Sequence, residues 1–110
     1  MIAVIFEVEP KPGQSVAYFA KAAALRSSVE GIDGFISVER FESVTQPGKY
    51  LSLSFFRDEQ AVREWRSRHE HRQAQTAGRN ELFEHYRIRV AEIIRDYDEK
   101  RAGPFGAKPE

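Results

Sequence analysis

Trp65 and His69 stand four residues apart in the run Trp65-Arg66-Ser67-Arg68-His69-Glu70-His71, a spacing that puts an indole and an imidazole on one face of a helix. An apolar wall with a single N–H donor, beside a group that titrates near neutrality, suits a small pocket for an aromatic or oxidisable ligand. With an unperturbed pKa of about 6.5, a histidine sharing the face of Trp65 is the best candidate base, and Trp65 would serve as wall and as N–H donor to an oxygen atom. Each has a plainer reading: His69 as a structural imidazole bonded to a backbone carbonyl, Trp65 as the largest core residue. His69 and His71 do not read as metal ligands, because a helix turns about 200° over two residues and separates the two rings. His71 is expected at the pocket rim or in solvent. Arg72 returns to the Trp65 face and could hold an anionic group, its alternative being a surface salt bridge worth little. Arg79 is a weaker candidate of the same kind. Tyr18 and Tyr86 could line the pocket with their phenols, and Phe41 and Phe55 could add apolar walls, each weighed against a role in core or dimer contact.

The 110 residues suit one domain. Seventeen basic residues balance seventeen acidic ones, which favours neither nucleic acid nor anionic lipid and leaves small molecules and protein partners. Cysteine is missing from the chain, so disulfides, thiolate catalysis and cysteine-based zinc sites are excluded. No apolar run is long enough to cross a bilayer. The opening Met1 to Phe6 turns acidic at Glu7 without a basic leader, so it reads as a strand and a cytoplasmic protein is expected. No phosphate-binding glycine loop, nucleophile elbow or dinucleotide fingerprint is present, which leaves kinase, hydrolase and nicotinamide chemistry unsupported.

The elements that must position these groups follow from periodicity. Ile2, Val4, Phe6 and Val8 alternate in a strand over Ile2 to Glu9 closed by Pro10. Tyr18, Ala22, Leu25 and Val29 recur at helical spacing up to Gly31. Two β-rich runs, Phe35 to Val44 and Tyr50 to Arg57, flank a Pro47-Gly48 turn and read as a hairpin. Asp58 is a candidate N-cap for a second helix with Ala61, Val62, Trp65 and His69 inward, continuing past His71. Glu81 to Glu84 reads as a further short turn. Tyr86, Ile88 and Val90 then alternate with Arg87 and Arg89 in a last strand to about Tyr97, and the arginines could face Glu39 or Glu42 across strands. The order predicts an α+β ferredoxin-like βαββαβ sandwich over residues 1–97, with a tail over 98–110 that lacks periodicity. Apolar side chains fall on both strand parities: Leu51, Leu53 and Phe55 against Tyr50 and Phe56, Ile5 against Val4 and Phe6, Phe35 and Phe41 against Ile36 and Val38. A sheet apolar on both faces needs a second cover, so a homodimer is expected.

The strand order, the length, Trp65 on the second helix, the His-x-His after it and the last strand from Tyr86 together resemble the antibiotic biosynthesis monooxygenase family of dimeric α+β barrels. The resemblance covers Ile2 to about Tyr97. It implies a dimer with a pocket in each subunit between the sheet and the second helix, and oxidation of small aromatic or quinone-like compounds by molecular oxygen with no metal or flavin. It equally allows a non-catalytic, small-molecule-binding or stress-associated dimer. In a haem-degrading branch an Asn from the first strand acts with a Trp and a helical His. Trp65 matches that Trp, but Asn80 is the sole Asn of this chain and Gln75 occupies the position of the haem-ligating His. The resemblance therefore favours the cofactor-free reading, in which His69 is the base.

Overall fold

Two helices cover one face of a four-stranded antiparallel sheet whose order is β2-β3-β1-β4. The computed structural model describes the backbone of residues 1–75 and 83–100, and the side chains of residues 1–68 and 83–100. The elements are β1 (Ile2–Pro10), α1 (Ser15–Glu30), β2 (Phe35–Glu42), β3 (Tyr50–Phe56), α2 (Glu59–Gln75) and β4 (Phe83–Glu92). This is the ferredoxin-like βαββαβ arrangement, and the long crossovers demanded by its interleaved strands are the two helices.

Register assigns every side chain to a face. Opposite Ile2, Val4, Phe6 and Val8 of β1 stand Phe56, Ser54, Ser52 and Tyr50 of β3 on one side and Glu92, Val90, Ile88 and Tyr86 of β4 on the other. This set looks toward the helices, and Val4, Val8 and Phe56 within it are fully buried. The opposite face carries Ala3, Ile5, Leu51, Leu53 and Phe55 at its centre, with Arg87 and Arg89 along β4 and Glu39 and Phe41 along β2.

The helices dock through the stripes their periodicity predicts. In α1, Tyr18 and Val29 are buried, with Ala22 and Leu25 half-buried between them. The inner face of α2 buries Ala61, Val62 and Trp65, while Arg63, Glu64, Arg66 and Ser67 are exposed. Asp58 caps α2, its Oδ1 accepting from the Ala61 N–H at 3.0 Å. Arg68 of α2 donates to the Ser28 carbonyl and to Ser28 Oγ at 3.2 Å, tying the helices together.

Three sequence expectations are corrected. A register shift between Phe35 and Ser37 puts Phe35 opposite Phe56, on the helix-facing side with Val38, rather than beside Phe41. The extra residue, Ile36, is 51% exposed. The last strand is Phe83–Glu92 rather than Tyr86 to Tyr97: Phe83 pairs with Pro10, and beyond Glu92 the ladder has no partner because β1 begins at Ile2. Its final link is the Ile93 N–H donating to the Met1 carbonyl at 2.9 Å. Arg87 and Arg89 cannot meet Glu39 or Glu42, since β2 and β4 are the two edges of the sheet. Arg89 instead binds Glu7 of β1 at 2.7 Å.

Candidate functional site

The helix-facing side of the sheet holds two packed groups that meet at Ile88. At one end Trp65 packs with Ile2, Val4, Val29, Ile32, Phe56, Ala61 and Val62. At the other, Tyr18 packs with Phe6 and Val8, flanked by Tyr50 and Phe83. Trp65 is 8% exposed and Tyr18 5% exposed, so both point inward, at opposite ends of β1.

The Tyr18 end is a box of rings. Tyr18 lies 5.8 Å edge-on from Phe83 and 6.4 Å from the stacked Tyr50, while Phe19 closes on Tyr50 at 4.8 Å. Phe6 adds contacts to Phe83 at 6.3 Å and to Tyr86 at 5.8 Å. Tyr86 belongs to this group although it is 41% exposed. Such offset and edge-on pairs are the favoured packing of aromatic rings and make this end of the layer beneath the helices a close-packed aromatic cluster.

One cation enters the box from β2. Arg40 stands opposite Ser52, which stands opposite Phe6, so all three share the helix-facing side. Burial pushes the Tyr18 phenol above its ordinary pKa, and the Arg40 guanidinium pulls it back through a hydrogen bond and its charge. Arg40 Nε is buried with no hydrogen-bond partner among the described residues. Ser52 and Ser54, both buried, are the small members of this side of β3, between Tyr50 and Phe56.

Trp65, Tyr18 and Tyr86 all lie on the helix-facing side of the sheet, but only the two tyrosines share a group, with Trp65 at the other end of β1. The structure places Phe41 and Phe55 on the opposite side, because both alternate out of phase with Tyr50, Ser52 and Phe56. The side chains of His69, His71 and Arg72 lie outside the described residues, as does Arg79 entirely; the α2 backbone runs through positions 69 to 72. Arg40, Ser52, Tyr50 and Phe83 escaped the sequence reading. The available signal was the alternation Tyr50-Ser52-Ser54-Phe56, which interposes polar residues on a face otherwise apolar.

The opposite face has its own polar cluster. Glu7 accepts from Lys49 at 3.2 Å and from Arg89 at 2.7 Å, and its carboxyl is held below the ordinary value, chiefly by the Lys49 hydrogen bond. Beside it a depression of about 260 Å³ is lined by Glu7, Phe41, Glu42, Ser43, Lys49, Tyr50 and Leu51.

Comparison with known proteins bears on this geometry. Residues 1–77 match the family model for antibiotic biosynthesis monooxygenase. A jasmonate monooxygenase of Pyricularia oryzae is 40% identical over 98% of the chain, which spans 52% of that protein's length. Protein YqjZ of Bacillus subtilis is 30% identical over 84% of the chain and 79% of its own length. Among solved structures, Rv0793 from Mycobacterium tuberculosis superimposes with a TM-score of 0.75 at 23% identity, covering 88% of this chain and 98% of its own. The haem degrader MhuD from the same organism, with two haems bound, gives 0.69 at 16% identity over 89% of this chain and all of its own. These two structures share the fold.

Proposed function

The chain belongs to the antibiotic biosynthesis monooxygenase family, and from that premise we propose that it oxidises a small aromatic or quinone-like compound with molecular oxygen and without metal or flavin, as a homodimer. The observation that carries this reading is the ring box around Tyr18, with Arg40 entering it beside the phenol. Cofactor-free oxygenation needs a substrate that becomes an electron-rich anion, a base to take its proton, and donors to hold the oxyanion. The aromatic walls bind the ring system, His69 takes the proton, and Tyr18 and Arg40 supply donors. With an anthrone, the methylene becomes a carbonyl: one oxygen atom enters the product and the other leaves as water with the two hydrogens removed.

The test is oxygen uptake with anthrone and hydroquinone substrates. Turnover is expected for the native chain and is expected to fall at least about a hundredfold in His69→Ala, the usual scale of general-base loss, while the oligomeric state is unchanged. No turnover across a wide panel would leave the binding-only dimer as the function. A second substrate reading is favoured by one observation, the name of the Pyricularia oryzae relative: a jasmonate belongs in the same panel, and its selective oxidation would replace the aromatic substrate.

A further inference from the structure

On the sheet face away from the helices, ladder register sets the side chains out in rows. Phe41, Leu51, Glu7 and Arg87 stand level across β2, β3, β1 and β4, and Glu39, Leu53, Ile5 and Arg89 form the next row. This second row is apolar at its centre, acidic at the β2 rim and basic at the β4 rim. Glu7 is neutralised within the chain by Lys49 and Arg89. Glu39 and Arg87 are exposed and make no ion pair among the described residues. They cannot meet within one chain, because three strand spacings of about 4.8 Å separate the two rims. Beside Glu39, the exposed Phe41 walls the depression of about 260 Å³.

Two copies stacked on this face about a two-fold axis have two simple ways to lie. An axis across the strands, through the row of Leu53 and Ile5, lays each rim on its own counterpart, Glu39 over Glu39 and Arg89 over Arg89. Like charges then oppose one another at both rims. An axis along the strands lays each rim on the opposite one at the same level, so that Arg89 comes over Glu39 and Arg87 over Phe41. We infer that the homodimer is turned in this second way, and that Arg87 of each copy enters the depression of the other, its guanidinium lying on the Phe41 ring and paired with Glu39. The inference rests on the homodimer proposed above and specifies how its halves meet. A guanidinium suits the place, since it stacks flat on an aromatic ring and binds a carboxylate in its plane. Stacked sheets lie about 10 Å apart, a gap that an arginine from one side and a phenylalanine from the other can fill. The offset between aligned sheets shifts the rims by a distance that an arginine side chain can follow.

Sedimentation equilibrium of the full chain gives the dimer dissociation constant. Arg87→Glu and Glu39→Arg are each expected to raise it at least about tenfold, because the two-fold repeats the lost pair. The double variant Arg87→Glu/Glu39→Arg is expected to return it to within about threefold of the native value. Such rescue can arise only between copies, the rims being out of reach of each other in one chain. The chain has no cysteine, so the turn of the halves can be read independently of these charges. Ser37 on β2 and Ala91 on β4 are exposed and level, through Phe55 and Ala3. Ser37→Cys/Ala91→Cys is expected to give covalent dimers with a bismaleimide of about 10 Å reach, the spacing of stacked sheets, and neither single variant is. Unchanged dissociation constants in the single charge variants, a double variant weaker than either, or cross-linking by one cysteine variant alone would overturn the inference. A native chain that is monomeric at micromolar concentration removes the homodimer and this inference together. A native dimer without charge rescue or paired cross-linking removes this inference and leaves the homodimer standing.

Discussion

Replacing Trp65 by Ala removes the largest side chain of the first packed group, where it meets Ile2, Val4, Phe56 and Val62. A loss of about 3–5 kcal/mol is expected, against much less for Trp65→Phe, measurable by urea unfolding. Gly34 is constrained differently. Its φ of +98° is disfavoured for side-chain-bearing residues, and an added Cβ would lie 2.9 Å from the Ala61 Cβ on α2. Gly34→Ala should therefore cost about 1–2 kcal/mol through backbone strain alone, with further loss from the clash; Ala61→Gly in the same chain should recover only the clash. At this scale Trp65 and Asp58 were legible, because an indole within an apolar helical stripe and an Asp before a helix each have one good place to go. Arg40 was not. A lone arginine between Glu39 and Phe41 looks like solvent-facing strand, and only its pairing with Ser52 beneath α1 puts it under the helices.

The acid stability of α2 depends on its cap. The Asp58 carboxyl is held below its ordinary value of 3.8, first by the Ala61 N–H and then by Arg57. A depressed carboxyl contributes stability that is present above its unfolded pKa and is lost as pH falls through the folded one. Asp58→Ala should thus lower stability at neutral pH and flatten its decline below about pH 4, with Asp58→Asn retaining much of the capping but not the pH slope; urea midpoints across pH report both. Glu7, lowered by Lys49 and Arg89, adds a decline of the same sign. Elements were readable wherever one periodicity persisted, as in β1 and α1. The end of β4 was not, because Ile93 and Ile94 continue a strand-like composition while the backbone that would pair with them has run out. The Phe35–Ser37 shift was equally hidden: Phe35, Ile36 and Val38 all suit a strand, and nothing in their types says which one is supernumerary.

The face of the sheet away from the helices presents Ile5, Leu51, Leu53 and Phe55 as a central apolar band, bordered by Glu7, Lys49 and Arg89. This supports the proposed homodimer, since a contiguous apolar surface of this kind marks an interaction site. Leu53→Asp at the centre of the band is expected to yield monomers by light scattering at micromolar concentration, with helical content retained; a native chain already monomeric there would remove the dimer from the account. No helix among the described residues is long and apolar enough to cross a membrane. The fold as a whole was legible because the order of periodicities admits few right-handed arrangements. Its strand order was harder to use, and the partner of Arg89 followed only once β1 was known to lie between β3 and β4.

The supernumerary residue at Ile36 bears on how copies of the chain can meet. An outer strand interrupted by a bulge twists away from its ladder and makes a poor template for another molecule's backbone. Growth by adding strands rim to rim is thereby discouraged, and association is steered toward broad surfaces that saturate after one pairing. Deleting Ile36 should straighten that rim and turn a chain that stays in solution into one that forms thioflavin-binding fibrils on prolonged incubation.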